Sequence, residues 1–283
     1  IDNISSAHSF MVDMFEYMPK VETLKNCDHI IKLIKSYEID VVLISSEYEI
    51  EWFSHYKKII EFKTKCKVLV TTKEWISIGN DKLKTYQFLY KIGVTVAQFF
   101  YFEKNKNHWI SGINLKKLDK NDFPIFLKPK KGTSNKGIVK LYDISELEVF
   151  SFSISKDNFV LQKSLQSEAS NFEITSSIIF SKNGEIKSNP FHAKRILNKG
   201  ISWKIERYKS KELDKIVTLI AKNMPGYLGS LNIQFMGSEE NGFSPLEINT
   251  RFSGTTSFRL ECGLNEVMYL SYDLLGQTKN YLL

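Results

Sequence analysis

Hydrophobic residues in the first third of the chain recur in two alternating patterns, one with helical spacing and one as short continuous runs. The segment HIIKLIKSYEIDVVLISS has a helical period over residues 30–34 and an apolar run over residues 39–45. WFSHYKKIIEFKTKCKVLVTT repeats the pattern with a run over residues 68–71, and in NDKLKTYQFLYKIGV Asp81 favours a helix start and Gly93 a helix end. Helices that alternate with short Val- and Ile-rich strands predict a parallel, doubly wound α/β sheet. The first residues are typical of a loop, so we expect an initial strand–helix unit to be missing.

The pattern changes after residue 122, where strands dominate. Predicted strands cover residues 125–128, 137–142, 159–163, 173–180, 185–188, 231–236 and 243–250. Helices are predicted over residues 145–151 and 209–223, so this part of the chain is α+β. We place the domain junction near residues 100–122, in the polar stretch that contains EKNKNHWISG.

Composition and charge restrict the class of protein. The chain has 283 residues, of which 42% are hydrophobic and 25% are charged, as in ordinary globular enzymes. No apolar run approaches the roughly 18 residues of a membrane span. The net charge of +7 comes from lysines spread along the chain, which favours anionic small molecules over nucleic acid. Three separated cysteines without a CxxC pair and five histidines without metal-site spacing predict a cytoplasmic protein without a zinc site.

A basic turn lies between two predicted strands in FPIFLKPKKGTSNKGIVK, residues 123–140. Gly132 and Gly137 have the spacing of the first half of a phosphate-binding P-loop, but Ile138 and Val139 follow where a P-loop has Lys and Ser or Thr. A new strand begins there instead of a helix. The turn is therefore either a phosphate loop of another kind or a hairpin turn with solvated lysines.

A candidate metal site lies in SLNIQFMGSEENGFSPLEINTRFSG, which we interpret as a hairpin. Side chains alternate along a strand, so Glu247, Asn249 and Arg251 share one face, with same-face Cα atoms about 6.6 Å apart. Gln234 on the preceding strand adds another oxygen. One carboxylate and two amides suit Mg²⁺ or Mn²⁺ when a ligand's phosphates complete the coordination. The alternative is an exposed hairpin face whose polar residues are solvated.

These motifs occur in an order that resembles the ATP-grasp enzymes. Lys128 and Pro129 precede the glycine-containing turn, and VLQKSL and then NIQF and LEINTRFSG follow. The sequence is most similar to the carbamoyl-phosphate-synthase-like branch, in which a Gln and then Glu-x-Asn hold the metals, and the resemblance covers nearly the whole chain. It implies a truncated Rossmann-like domain over residues 1–100 and a two-lobed ATP-grasp domain over residues 101–283. The small lobe would cover residues 101–164 and the large lobe residues 165–283.

The resemblance also implies where ATP would bind. The residues that match nucleotide contacts are Lys82, Lys128, Gly132, Thr133, Ser134, Gly137, Gln162, Lys163, Leu165 and Glu173. The two lysines that come first in this set would hold the α- and β-phosphates, and the basic turn would fold over the β- and γ-phosphates. Two lysines cannot neutralise ATP, so Mg²⁺ would be required as well.

The base and ribose positions are less regular. Gln162, Lys163 and Leu165 would line adenine, but the family usually has an acid in this stretch and Lys163 stands at its position, so Gln162 would substitute. Glu173 matches the ribose-binding acid, and its alternative is a charge on an edge strand. Backbone groups of the same strand would read the edge of the base.

Three cations match catalytic positions of the family. Arg251 would stabilise the transferring γ-phosphoryl group. Lys194 and Arg195 would bring another cation toward phosphate or substrate, and their alternative is a solvated strand end. Residues 253–263 would line the substrate side, where Arg259 would pair either with a substrate carboxylate or in a surface salt bridge.

The resemblance implies an ADP-forming ligase that activates a carboxylate as an acylphosphate and joins it to an amine or similar nucleophile. Its partners would be small-molecule substrates, with no nucleic acid and no membrane, and the protein would be cytoplasmic and a homodimer. One alternative is phosphorylation of carbamate or another small acid, as in carbamoyl-phosphate synthesis. A second alternative is a nucleotide-binding protein without turnover. A third, nucleic-acid binding driven by charge, predicts steep salt dependence.

Overall fold

The structure is a computed structural model that describes residues 12–16, 18–132, 136–165, 171–198 and 201–277. The N-terminal part alternates helices and strands as the sequence predicts. Its elements are α1 (Asp28–Ser36), β1 (Val41–Leu43), α2 (Glu47–Thr64), β2 (Lys67–Leu69), α3 (Lys73–Gly79) and α4 (Lys82–Lys91). β1 and β2 pair in parallel, and the buried Ile30, Ile31 and Ile34 of α1 pack in the core beside them.

Local capping signals set the bounds of these helices. The Asp81 carboxylate accepts hydrogen bonds from the backbone N–H groups of Leu83, at 2.9 Å, and Lys84, at 3.2 Å, which starts α4. Beyond its end Gly93 has a φ of +82°, a conformation that favours glycine. Ser46 caps α2 in the same way through the N–H of Tyr48. Both predicted signals of α4 are confirmed.

A five-stranded antiparallel sheet, the small sheet, follows with the strand order β4-β3-β7-β5-β6. Its elements are β3 (Phe99–Glu103), β4 (His108–Ser111), β5 (Ile125–Pro129), β6 (Val139–Leu141) and β7 (Phe159–Lys163). The basic turn connects β5 and β6, which pair antiparallel as predicted, and α5 (Ile144–Ser153) follows β6. The segment that we placed at the domain junction forms the hairpin β3–β4 of this sheet.

A second five-stranded antiparallel sheet, the large sheet, has the order β10-β9-β8-β11-β12. Its elements are β8 (Phe172–Phe180), β9 (Phe191–Asn198), β10 (Ile201–Tyr208), β11 (Gly229–Ser238) and β12 (Gly242–Asn249). β9 and β10 were not predicted. The predicted strand over residues 185–188 is wrong, because that segment makes a single bridge, between Phe180 and Ile186, within a tight turn.

The large sheet has one apolar and one polar face because its side chains alternate. Ile174, Leu231, Ile233 and Ile248 lie on the apolar face and pack in a buried core with α6 (Lys211–Lys222). The polar face is turned toward the N-terminal helices and the basic turn. Two helices, α7 (Thr256–Glu261) and α8 (Glu266–Leu275), follow β12. The architecture is a mixed α/β fold with a small parallel sheet and two antiparallel sheets, as predicted.

Across the described ranges, every helix is too short or too polar to traverse a lipid bilayer.

Candidate active site

A cleft of about 560 Å³ lies between the polar face of the large sheet, the start of α2, the α3–α4 junction and the basic turn. Its walls come from every part of the fold. The charged and amide side chains among its lining residues are Glu22, Glu47, Glu51, Asn80, Lys82, Lys131, Glu173, Arg195, Asn232, Gln234, Glu247, Asn249 and Arg251. Carboxylates, cations and amides therefore face one shared space.

The β11–β12 hairpin forms the centre of the cleft floor. Its register places Gln234 opposite Glu247 and Asn232 opposite Asn249. The side-chain amides of Gln234 and Asn249 both donate to Oε1 of Glu247, the latter at 3.1 Å. The structure thus brings together the three side chains that the sequence selects as metal ligands. Within the described residues, no group of three or more His, Cys, Asp or Glu side chains suits a metal ion.

Arg251 follows the hairpin and reaches the N-terminal helices. Its guanidinium pairs with the carboxylate of Glu47 at the start of α2, and Nη1 donates to the carbonyl oxygen of Phe252 at 2.9 Å. Its Nε is buried and has no hydrogen-bond partner within the described part of the chain. The two side chains are 18% and 21% exposed, so the pair borders the cleft instead of lying in the core.

Lys82 lines the cleft, and the buried Lys128 lies near enough for the two charges to interact. Lys82 donates from Nζ to the carbonyl oxygen of Gly132 at 2.9 Å, and burial lowers its pKa. Lys128 donates from Nζ to Oε1 of Gln162 at 2.6 Å. Burial, together with the charge of Lys82, lowers the pKa of Lys128 to about 8. Because no carboxylate pairs with Lys128 among the described contacts, an anion would satisfy it.

The Gln162 side chain serves Lys128 and not the cleft. Its Oε1 accepts hydrogen bonds from Lys128 and from the hydroxyl of Tyr86, at 3.2 Å, and its Nε2 is buried without a described partner. Gln162 is 1% exposed and is not among the cleft-lining residues. The structure therefore places the Gln162 amide against the ammonium group of Lys128, whereas the sequence assigned it to adenine.

The basic turn has the backbone conformation that a phosphate loop needs at its glycines. Gly132 and Gly137 have φ values of +138° and +74°, which side-chain-bearing residues rarely adopt. Gly132 and the neighbouring Lys131 line the cleft. Thr133 and Ser134, which the sequence assigns to the phosphates, lie outside the described residues.

Glu173 and Arg195 face the cleft from adjacent strands of the large sheet. Oε1 of Glu173 lies 3.1 Å from Nη1 of Arg195, and Nε of Arg195 donates to the hydroxyl of Ser202 at 2.8 Å. Burial raises the pKa of Glu173, and Arg195 opposes that shift. Lys194 lies on the other face of the same strand, with its ammonium 4.0 Å from the ring centre of Phe172. The structure separates the two cations that the sequence grouped.

Lys163, at the end of β7, and Leu165 lie away from the cleft lining. The Lys163 side chain is exposed, and its backbone N–H donates to the carbonyl oxygen of Gln98 at 2.8 Å. The Leu165 carbonyl accepts a hydrogen bond from Nδ2 of Asn171 at 2.8 Å. Neither Lys163 nor Leu165 is among the lining residues, and residues 166–170 lie outside the described part of the chain.

Arg259 forms an interior ion pair, which corrects both roles that the sequence left open. Its guanidinium pairs with Glu266, and the two side chains are 1% and 0% exposed. Hydroxyl groups of Ser253, Thr255 and Thr256 accept hydrogen bonds from the same guanidinium. The pair fixes the loop that follows β12, and Ser253 and Thr255 of that loop line the cleft.

Asn232 and Glu47 are among the cleft residues that sequence reasoning missed. Asn232 precedes Gln234 by two positions, so strand alternation alone would have put it on the same face. It is 1% exposed, and its Oδ1 has no described partner. Glu47 had no comparable signal, because it reaches Arg251 through the packing of distant parts of the chain.

No protein-family model and no curated protein matches the sequence. Solved structures match it over most of its length. The biotin carboxylase domain of the 2-oxoglutarate carboxylase from Hydrogenobacter thermophilus aligns with 98% of this chain at 15% identity and a TM-score of 0.69. The N5-carboxyaminoimidazole synthetase from Staphylococcus aureus aligns with 96% of this chain at 16% identity and a TM-score of 0.68. The L-amino acid ligase from Bacillus licheniformis aligns with 90% of it at 14% identity and a TM-score of 0.63.

These three proteins are ATP-grasp enzymes, and the chain therefore has an ATP-grasp fold. The family resemblance inferred from the motifs is confirmed at the level of the fold. This chain spans 63% of the Hydrogenobacter thermophilus domain, 68% of the Staphylococcus aureus enzyme and 62% of the Bacillus licheniformis enzyme.

Proposed function

We propose that the protein is an ATP-dependent ligase that activates a carboxylate as an acylphosphate and joins it to an amine or similar nucleophile. One observation carries the proposal. Lys82, Lys131, Arg251 and an oxygen-rich hairpin line a single cleft of an ATP-grasp fold, and the buried Lys128 lies near enough to interact with the charges of Lys82 and Glu247. Such a cleft can hold a triphosphate in line with an attacking carboxylate, which is the positioning that phosphoryl transfer requires.

The charges of the cleft suit a triphosphate. Lys82 and Lys128 would contact its phosphates from the small-sheet side, while the N–H groups of the basic turn would approach them where Gly132 and Gly137 allow. One lysine about 4 Å from a phosphate contributes roughly 4 kcal/mol at an effective dielectric constant near 20. Of the three solved structures named above, two contain ADP, and the one from Hydrogenobacter thermophilus contains it as the magnesium salt.

The hairpin side chains fit a hard divalent cation by their chemistry. Glu247 supplies a carboxylate, and Gln234 and Asn249 supply carbonyl oxygens once their amides turn away from it. The buried and unpartnered Oδ1 of Asn232 adds an acceptor beneath them. A bound Mg²⁺ would neutralise phosphate charge that two lysines leave uncompensated.

The residues of the cleft would then assist two displacements. A carboxylate oxygen attacks the γ-phosphorus, the bond from that phosphorus to the β–γ bridging oxygen breaks, and ADP leaves. The amine nitrogen next attacks the acyl carbon, the bond from carbon to the phosphate oxygen breaks, and inorganic phosphate leaves while the amine loses a proton to solvent. Arg251 would stabilise the charge that spreads over the transferring phosphoryl oxygens.

The ADP-release rate of purified protein tests the proposal. We expect turnover with Mg²⁺, ATP and a suitable carboxylate and amine, and a loss of at least about 100-fold in Glu247→Ala, since removal of one group that stabilises transition-state charge has this size of effect. Glu240→Ala is the matched control, because Glu240 lies in the exposed turn of the same hairpin. Equal rates in Glu247→Ala and the wild type would remove the hairpin from the site.

The proposal extends to assembly and location. We expect a homodimer, as described for the Hydrogenobacter thermophilus domain, and a cytoplasmic protein, for which the three unpaired cysteines are the supporting observation. Sedimentation and cell fractionation test these two points separately from the chemistry.

A further inference from the structure

The wall of the cleft that the N-terminal elements form carries three carboxylates. Glu47 and Glu51 lie one helical turn apart on α2, so both face the cleft, and Glu22 lies beside them. Glu51 accepts a hydrogen bond from Nδ2 of Asn80 at 3.1 Å, and Glu47 pairs with Arg251. The carboxylates of this wall that have no described cationic partner disfavour a triphosphate and favour a cationic group.

Two buried polar atoms in this region are candidates for contact with a ligand. Nε of Arg251 and Oδ1 of Asn232 lack hydrogen-bond partners within the described residues, although both side chains line the cleft. Asn232 is 1% exposed, so bulk water does not satisfy it. Buried polar groups without partners are rare in folded proteins, and a bound ligand is one of their explanations.

The Arg251–Glu47 pair restricts what that ligand can be. A simple carboxylate that took Arg251 would displace Glu47 and, by excluding water, would leave its charge enclosed without a partner. A ligand with both a carboxylate and an ammonium group would replace the one ion pair by two. The number of unpaired charges in the closed cleft would then stay the same.

We infer that the carboxylate donor of the ligase is an amino acid, whose carboxylate pairs with Arg251 and whose ammonium group pairs with Glu47. This inference rests on the proposed function. Glu51 and Glu22 strengthen the preference for a cationic group and oppose a second anionic one. The site therefore disfavours bicarbonate and deaminated acids, in contrast to the bicarbonate-bound domain from Hydrogenobacter thermophilus.

A hydroxamate assay tests the inference without knowledge of the natural amine. Hydroxylamine attacks the acyl carbon of an acylphosphate and releases phosphate, so it replaces the second substrate. Each of the common amino acids, its deaminated counterpart (alanine with propionate, glutamate with glutarate) and bicarbonate would be assayed with Mg²⁺ and ATP, and ADP release would be followed in parallel. We expect at least one amino acid to exceed its deaminated counterpart by about 100-fold in kcat/KM, the size of effect seen when one partner of a buried charge pair is removed.

Glu47→Gln tests the assigned contact. The variant should lose most of the preference for the amino acid over its deaminated counterpart, because a neutral amide cannot pair with the ammonium group. Glu49→Gln is the matched control on the same turn of α2, since Glu49 is not among the cleft-lining residues. It should keep the wild-type preference.

The outcomes of these assays distinguish a failure of this inference from a failure of the proposed function on which it rests. Turnover of deaminated acids or bicarbonate at rates equal to amino acids would overturn the amino-acid inference and leave the ligase proposal standing. An unchanged preference in Glu47→Gln would overturn the assigned contact. Absence of ADP release with every acid would overturn both the ligase proposal and the inference.

Discussion

Two arginine–glutamate pairs lie close together in this fold, and their surroundings differ sharply. Arg259 and Glu266 are enclosed, and both oxygens of Glu266 accept further hydrogen bonds from hydroxyl groups, such as that of Ser230 at 2.9 Å. Arg251 and Glu47 border the cleft and are 18% and 21% exposed. Each arginine has a buried Nε without a described partner, so the two pairs differ in exposure and in the number of hydroxyl groups that bond to them.

The difference in surroundings indicates that the two ion pairs have different roles, one in stability and one in ligand binding. An enclosed pair with several hydroxyl partners holds its loop in one arrangement, because breaking it leaves a buried charge. A pair at a cleft can exchange partners with a ligand at low cost, since water solvates each charge while the cleft is open. We therefore expect Arg251 to control turnover and Arg259 to control stability.

The largest effect should come from Arg251→Ala. Loss of a guanidinium that stabilises the transferring phosphoryl group should lower the ADP-release rate by about 1,000-fold. The free energy of unfolding should change by less than about 1 kcal/mol, because the pair is partly solvated. Steady-state kinetics and urea unfolding measure the two quantities. A folded Arg251→Ala variant with normal turnover would contradict the assignment of Arg251 to turnover.

Arg259→Met should behave in the opposite way. It leaves the Glu266 carboxylate buried without its counter-ion and should lower the free energy of unfolding by about 3–5 kcal/mol. The double variant Arg259→Met, Glu266→Leu should recover much of that loss because neither charge remains. Urea denaturation of both variants is the measurement, and equal losses in the single and double variants would contradict the assignment.

Lys128 is a third buried cation to compare with the two arginines. It is buried like Arg259, but it bonds to the neutral amide of Gln162 instead of a carboxylate. Burial lowers its pKa to about 8, so its positive charge is lost as the pH rises through that value. ATP binding should weaken by about tenfold between pH 7 and pH 9.5 when this charge disappears. Gln162→Glu should shift the fall to higher pH by stabilising the ammonium form. A pH-independent dissociation constant would show that Lys128 does not contact the nucleotide.

The free energy of unfolding should also depend on the titration of Lys128, but it should rise with pH where ATP affinity falls. The unfolded chain holds the Lys128 proton up to a pKa near 10.4, whereas the folded protein releases it above about 8. Between these values the unfolded state binds more protons, so the contribution of Lys128 to stability rises with pH.

The smallest difference in ATP binding is expected between variants of two neighbouring residues on β9. Arg195 faces the cleft beside Glu173, and Lys194 lies over the ring of Phe172 on the other face. Arg195→Ala should weaken ATP binding by roughly tenfold, and Lys194→Ala by less than twofold, because only a cation on the cleft face can interact with a ligand there. Calorimetric titration of both variants checks this order, and a reversed order would contradict the assignment of the faces.

Much of the fold follows from local signals in the sequence. Asp81 and Gly93 predict the ends of α4, and the alternation in LEINTR predicts β12 and its polar face. β9 was missed because polar residues such as His192 and Arg195 occupy both of its faces, which removes the alternation. The strand predicted over residues 185–188 is wrong because the segment has a bridge partner at a single position, Ile186.

The residues of the candidate site also divide into those that local sequence patterns predict and those that only tertiary packing brings together. Gln234, Glu247 and Asn249 lie in one hairpin, so local geometry brings them together and the sequence reveals them. Glu47 meets Arg251 only after the N-terminal helices have packed against the large sheet, and no local pattern encodes that approach. The hydrogen bond from Lys128 to Gln162 likewise depends on the cross-strand order of the small sheet, in which β7 lies beside β5.

The most direct test of the central claim is a crystal structure with Mn²⁺ and a non-hydrolysable ATP analogue, in which the anomalous signal locates the metal. We predict a manganese peak bound to oxygens of Glu247 and Asn249, with the triphosphate between this hairpin and Lys128. A nucleotide bound outside the cleft, or a manganese peak away from β12, would contradict the account.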